Sequence, residues 1–493
     1  MKVLLVYPEF PDTYWSFRHA LTFEGKRSAF PPLGLLTISA MLPGEWQRRL
    51  VDMNVRRLKE ADIEWADIVF LSAMIVQKES LARVVALCKA RGKRVVVGGP
   101  YVSTSAQQLP AADHIFVGEA ETTLPEFVSD LARGCARHIY QAAERPALTA
   151  TPVPHFQLAD LGRYSAMSVQ YSRGCPFQCE FCDIIEIYGR VPRTKTNAQM
   201  LAELDALRAL GWRGLVFIVD DNFIGNKRNV KRLLPELIEW SERNGRPFSF
   251  ITEASVNLAE DDALLELMRR ANFRRVFLGI ETPVEESLKE AQKGQNTRRD
   301  LLESVRKIQA YGLEVMAGFI VGFDNDPEDI FERQIKFIRE SAIPLAMVGL
   351  LTALPDTQLW RRLQREGRLL QESTGNNTEC SLNFIPRMDT ARLVEGYKRI
   401  LRTIYSPAEY YQRALNCLAQ LTQTPEPRRN SLLNDVLAFA RVTLALGVRD
   451  RARMEFWRYM KRTITSHRQN FAHAVTLAAM GYHFRKLTEA YHE

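Results

Sequence analysis

Tyr171-Ser-Arg-Gly-Cys175-Pro-Phe-Gln-Cys179-Glu-Phe-Cys182-Asp183 is the stretch on which the reading of this chain turns. It follows Met167–Tyr171, an apolar run with the character of a buried strand. Gly174 and Pro176 then force the backbone to turn. Three thiols between Cys175 and Cys182 can all face one point, because the reach of the loop far exceeds the size of an iron–sulfur cube. Cysteine thiolates are the usual ligands of such clusters, ordinarily four of them. Three leave one iron open, and an open position separates catalytic metal sites from structural ones. That iron could chelate the amino and carboxylate groups of a small molecule. The alternative, a zinc site, calls for a fourth Cys or a His at suitable spacing. The nearest histidine, His155, precedes the strand. Cys88, Cys135, Cys380 and Cys417 are scattered, and a total of seven cysteines does not suit a disulfide framework.

Outward from the cysteines, strands and helices alternate. Candidate strands are Met167–Tyr171, Gly214–Val219, Phe248–Thr252, Arg275–Gly279, Glu314–Ile320 and Met347–Leu351. Helical patterns, among them Ala198–Leu210, Lys227–Arg243 and Ala263–Arg270, lie between them. A complete TIM barrel has eight strand–helix units, so this beat predicts a partial (β/α)6 barrel over 160–365, with its chemistry at the carboxyl ends of the strands.

Upstream, Val3–Tyr7, Arg49–Val51, Ile68–Ser72, Arg94–Val97 and His114–Val117 read as buried parallel strands separated by helices such as Ser80–Ala90. That is the pattern of an α/β doubly wound, Rossmann-like sheet over 1–145. The loops after Tyr7, Asp52, Leu71 and Val97 are its ligand-facing candidates. Ala142–Leu161, rich in Pro, Ala and Thr, reads as the linker. Downstream, 366–493 reads as an all-helical region, with helices over Arg392–Tyr405, Glu409–Gln420, Asn430–Leu446, Ala452–Ser466 and Phe471–Tyr491.

The composition is that of a globular protein: 46% hydrophobic, 10% aromatic and 25% charged residues among 493. No apolar run approaches the ~18 residues of a membrane span. The N-terminal MKVLLVYPEF has no signal-peptide layout, so a cytoplasmic location is expected. Of the net charge of +8, most lies between Arg441 and Glu493, where ten Lys/Arg face four Asp/Glu. A solvated helix face is one reading of this basic tail. Peripheral contact with an anionic membrane, or with an acidic partner, is the other.

The C-x3-C-x2-C spacing, with Phe181 just before the third cysteine, resembles that of the radical S-adenosylmethionine (SAM) superfamily. The resemblance implies a [4Fe–4S] cluster on Cys175, Cys179 and Cys182 that cleaves SAM to a 5′-deoxyadenosyl radical. It further implies a SAM site formed by Phe181, by Asp220 and Asp221 after the second strand, by Glu253 after the third, by Glu281 after the fourth, and by Gly318, Ile320 and Gly322 on the fifth. A doubly wound domain ahead of such a barrel resembles the cobalamin-binding subclass. Its corrin site falls on Ser72 and Ala73, on Gly98, Gly99 and Pro100, and on Gly118 and Glu119. The D-x-H-x-x-G motif of other cobalamin proteins is absent, which leaves the lower axial ligand open.

The helical C-terminal region, of DUF4070 type, resembles the branch containing the hopanoid methylases. That resemblance implies cobalamin-dependent C-methylation of an unactivated carbon on a bulky lipid or pigment, served by a low-potential donor such as flavodoxin or ferredoxin. The alternatives are a non-methylating radical rearrangement or cyclisation, and RNA modification. The latter is disfavoured because the RNA-modifying methylthiotransferases carry extra N-terminal cysteines, whereas only Cys88 and Cys135 stand there. No nucleic-acid partner is expected.

Overall fold

The computed structural model describes residues 1–106, 111–376, 378–421 and 432–489. The first sheet contains β1 (Lys2–Tyr7), β2 (Gln47–Asp52), β3 (Ile68–Ser72), β4 (Arg94–Gly98), β5 (His114–Val117) and β6 (Ile139–Gln141). All pairs are parallel and the order is β2-β1-β3-β4-β5-β6. Strand side chains alternate between faces. Leu4 and Val6 join one core with Leu81, Val84 and Val85 of the helix Lys78–Ala90. Val3 and Leu5 join another with Leu35, Leu42 and Phe127. Both faces are therefore covered, which explains the continuous apolar runs. The strand order reverses between β1 and β3, and ligands of such sheets bind beyond the carboxyl ends at that switch point. β6 adds a strand to those expected. Its sequence signal is weak, because it has three residues of which only Tyr140 is buried.

The second sheet contains β7 (Met167–Val169), then, after the short antiparallel pair β8 (Ser172–Arg173) and β9 (Arg193–Thr194), β10 (Gly214–Ile218), β11 (Phe248–Ala254), β12 (Phe273–Glu281), β13 (Glu314–Val321) and β14 (Leu345–Leu350). It is parallel in the order β14-β13-β12-β11-β10-β7, and its edge strands do not pair with each other. This is the partial barrel expected, and each of its strands begins and ends within two residues of the expected bounds.

Trp15 fills the barrel lumen, stacked on Phe217 at 5.9 Å and packed against Phe277 at 5.3 Å, with Phe30 against Phe217 at 5.0 Å. The segment after β1 thus plugs the second unit. Beneath this plug, Leu215, Ile251, Arg275 and Met316 surround a small apolar space.

The linker stretch is packed, with Leu148 and Phe156 buried. The C-terminal helices run over Thr390–Ile404, Pro407–Gln420, Leu432–Val442, Arg453–Ser466 and Phe471–Glu489. The start of the helix expected over Asn430–Leu446 and the end of that over Phe471–Tyr491 fall outside the described residues. Past Val442 the first of these continues as a π-helical turn, Thr443–Arg449, an insertion that single-turn π-bulges commonly accommodate.

Candidate functional site

The hairpin β8–β9 clamps the base of the loop that carries the cysteines. Asp220 fixes the loop's root. Its carboxylate accepts from the Tyr171 and Ser172 amides at 2.7 and 2.8 Å and from the Ser172 hydroxyl at 2.7 Å. Asp220, expected at the SAM site, is thus an anchor of the cysteine loop. Gly174 has φ +97, and a Cβ there would stand 2.9 Å from the Gly189 carbonyl, so only glycine lets the loop close.

Two amides reach the sulfurs. Asn222 Nδ2 lies 3.7 Å from Cys175 Sγ, and Gln295 Nε2 lies 3.5 Å from Cys179 Sγ. Burial raises the Cys175 thiol, and burial with Asp183 nearby raises that of Cys182. Binding metal would release those protons. The His155 ring is engaged with Ser39 Oγ at 3.0 Å.

Beside the cysteines, Lys293 forms a buried ion pair with Glu281 at 2.5 Å and stands 5.8 Å from the centre of the Phe181 ring. Burial works against its charge, but Glu281 and the sulfurs of Cys179 and Cys182 hold the ammonium well above its ordinary range. Gly279 makes room for this pair, since a Cβ there would meet Glu281 Oε1 at 2.4 Å and Lys293 Nζ at 2.6 Å. Its register partner Gly318 lies against Phe277 in the same way, 3.1 Å from a built Cβ. Two adjacent glycines above the aromatic plug leave a flat shelf. Ile320 and Phe181 pack together with Phe323 and Leu351 beside it. Gly322, at φ +108, turns the chain, and its amide is capped by Asp326 at 2.8 Å.

Ile251 faces the lumen, so Glu253, two residues on, faces it too. Its carboxyl is pushed up to about 8 by burial and by Asp221, whose own carboxyl rises to about 7 by burial and by Asp220 and Asp183. Asp221 accepts one amide, from Gly174 at 3.2 Å. An unfolded glutamate ionises at about 4.3. Between that pH and about 8 the unfolded chain releases a proton that the folded one keeps. Stability therefore falls as pH rises through this window, by about 1.4 kcal/mol for each pH step of one. Glu253→Gln is expected to raise the melting temperature of the cofactor-free chain at pH 8, with a smaller gap at pH 5. A less stable variant at pH 8 would show that the carboxylate is charged and partnered.

A cavity of about 470 Å³ opens between the carboxyl ends of the two sheets. Ser72, Ala73, Gly98, Gly99, Pro100, Gly118 and Glu119 all line it, and so does Asp221. Gly99 has φ +98, with a would-be Cβ 2.6 Å from Ser72 Oγ and 3.0 Å from the Ala73 backbone. Glycine there lets the turn pack directly on the loop after β3. Among the described residues no histidine lines the cavity. The Glu119 carboxylate is engaged otherwise, by Arg173 at 2.7 Å and Arg193 at 2.6 Å, and Arg173 also reaches Glu121 at 2.7 Å. These pairs tie the first sheet to the cysteine loop. Of the four expected ligand-facing loops, the one after Asp52 serves packing. Asp52 is buried against Asn54 and the Tyr164 hydroxyl.

Sequence reasoning missed Lys293, Gln295, Phe30, Ser103, Gln170 and the Glu119–Arg193 pair. The last joins residues 74 apart, for which no local spacing exists.

Three family models match in succession: a B12 binding domain over 27–128, the Radical SAM superfamily over 169–338, and DUF4070, a domain of unknown function, over 357–493. The hopanoid C-2 methylase of Rhodopseudomonas palustris is 37% identical across 94% of this chain and 89% of its own length. The chain belongs to the cobalamin-binding radical SAM family. An uncharacterized methyltransferase of Synechocystis sp. is 46% identical across 99% of this family member and 92% of the relative. The structure of the cobalamin-dependent radical enzyme OxsB, with aqua-cobalamin and SAM bound, shares the fold at TM-score 0.63 and 17% identity, over 100% of this chain and 80% of that one. TsrM from Kitasatospora setae shares it at 0.59 and 14%, over 100% of both chains.

Membership brings three cofactors, a [4Fe–4S] cluster, SAM and cobalamin, and the residues present fit them. The sulfurs of Cys175 and Cys179 receive amide hydrogen bonds. Among the described residues no three His, Cys, Asp or Glu side chains converge as one ion requires, whereas a cube binds each thiolate through a different iron. The glycines at 279 and 99 let Glu281, Lys293 and Ser72 close in where a Cβ would collide with them, and the cavity between the sheets, with its apolar walls, has room for a bulky flat ligand.

Proposed function

We propose that this radical SAM enzyme methylates an unactivated carbon of a bulky, apolar small molecule, a polycyclic lipid of the hopanoid class. What supports the reading is the shared cavity, whose two walls come from the Gly98–Gly99 turn and from the root of the cysteine loop at Arg173, Tyr188 and Asp221. A reactive carbon held there would face both. The relative at 37% identity, spanning nearly the whole chain, is named for hopanoid methylation.

Cys175, Cys179 and Cys182 would hold the cluster, and Ser72, Ala73, Gly98, Gly99, Pro100 and Gly118 the corrin. The cofactors supply the radical and the methyl group; the rest falls to the chain. Lys293 offers a fixed cation to a carboxylate, and Glu253 and Asp221 offer hydrogen-bonding carboxyls to polar groups of SAM. Phe30, Leu33 and Met74 line the cavity with apolar surface, which would exclude water and receive a hydrocarbon. A low-potential flavodoxin or ferredoxin in the cytoplasm would reduce the cluster, and the basic C-terminal helices would meet a membrane.

The test is anaerobic turnover of the reconstituted enzyme with SAM, hydroxocobalamin, reductant and a hopanoid such as diploptene. Formation of both 5′-deoxyadenosine and S-adenosylhomocysteine, with a product heavier by one methylene, is expected. 5′-Deoxyadenosine without S-adenosylhomocysteine would sink the methylation reading.

A further inference from the structure

The helix Arg453–Ser466 carries apolar side chains on two opposite faces. Phe456, Tyr459, Met460 and Thr463 are buried against the protein. On the other side Met454, Trp457 and Ile464 stand 46–58% exposed. Met454, Trp457, Lys461 and Ile464 follow one another at helical spacing and form one stripe. The indole N–H of Trp457 donates to the Gly447 carbonyl at 2.9 Å, which sets the ring against the π-helical turn. The exposed Val448 follows Gly447 directly, and Leu444, also exposed, lies one turn before it. These five large apolar side chains ring one corner of the molecule.

Arg449, Arg451, Arg453 and Lys461, all exposed, are interleaved with them in sequence, while Arg458 pairs with Glu455 and Arg462 with Gln412. From Arg441 to Arg468 there are only two acids against eight Lys/Arg. Both acids are already paired: Asp450 with Arg485, and Glu455 with Arg458.

We propose that this corner is a membrane-docking surface, which seats Leu444, Val448, Met454, Trp457 and Ile464 among the headgroups of an anionic lipid bilayer. Apolar residues with a Trp, edged by Arg and Lys, are the composition of an interfacial helix. Lys461, in the middle of the stripe, has a stem long enough to bring its ammonium to phosphate level. A second copy of the chain is a poor occupant, because a two-fold contact would set this cationic ring against itself. Among the described residues no helix is long and apolar enough to cross a membrane, so the contact is peripheral. Docking through this corner deepens the membrane contact of the proposed function, and it stands or falls independently of the methylation chemistry.

Flotation of the full chain with phosphatidylcholine vesicles, with and without phosphatidylglycerol, tests it. The protein is expected to float with the anionic vesicles at low salt and to be released by high salt. Arg453→Glu and Lys461→Glu should each weaken binding at least about five-fold. Met454→Ser with Ile464→Ser should weaken it at unchanged melting temperature, since neither side chain packs inside. Absence of flotation overturns the proposal, and so does unchanged binding by all three variants. A dimer that dissociates on Met454→Ser with Ile464→Ser overturns it in favour of self-association.

Discussion

Cys179→Ser is expected to give a folded protein that holds no intact cluster and forms no 5′-deoxyadenosine. Cys179 is the most buried of the three cysteines, and its sulfur alone accepts from Gln295. Serine keeps the volume but presents a hard hydroxyl of high pKa to iron, which binds soft thiolates. Altering an outer partner of a metal site costs ~10–100-fold. Gln295→Leu should fall in that range, and loss of the ligand should exceed it. Visible absorption after anaerobic reconstitution reads the cluster, and chromatography of nucleosides reads SAM cleavage. Cleavage by the serine variant at the wild-type rate would remove Cys179 from the ligand set.

The second large effect belongs to Arg173→Met. Arg173 is 12% exposed in its side chain, and it sits between two carboxylates that are 2% and 4% exposed. Burial disfavours its charge, but Glu121 and Glu119 hold the guanidinium above its ordinary range. Removing one partner of such a group costs about 3–5 kcal/mol, because the remaining charge is stranded. Arg193 still serves Glu119, and the Thr151 hydroxyl still serves Glu121 at 3.1 Å, so the lower half of that range is expected. Arg173→Lys should recover part of the loss, since an ammonium lacks the fork that reaches both acids. The exposed pair Arg163–Asp160 is the control, with less than about 1 kcal/mol at stake. Urea unfolding measures both Arg173 variants against Arg163→Met. A midpoint for Arg173→Met equal to that of the control would show that the network contributes nothing.

The fold is legible wherever burial writes itself as a local pattern. The apolar runs of β1, β3, β4 and β5 are continuous because helices cover both faces, and the cysteine motif is a single loop. Glycines mark the shelf and the cavity wall because close backbone packing needs them. What stays hidden is long-range. Asp220 and Asp221 are adjacent in sequence, yet one holds the loop's root and the other borders the cavity, a difference set by the turn that follows β10. Glu119 reads as a ligand-site acid, but its partners Arg173 and Arg193 lie on the hairpin β8–β9, far along the chain. Trp15 reads as part of a ligand loop and instead fills the barrel. Phe250 and Phe319 cannot supply that volume: Phe250 alternates with the lumen-facing Ile251, and Phe319 packs against Phe337 of an outer helix.

The plug also sets an order of events at the ribosome. Tyr14 stacks on Phe484 at 5.2 Å, the His483 ring donates to the Thr13 carbonyl at 3.1 Å, and Arg441 reaches the Phe23 carbonyl. The segment from Thr13 to Phe23 therefore finds these neighbours only when the helix Phe471–Glu489 has been made, although β1 just before it already has its partners in β2 and β3. An aromatic-rich segment made early thus stays without these partners until the helix Phe471–Glu489 is present to cover it.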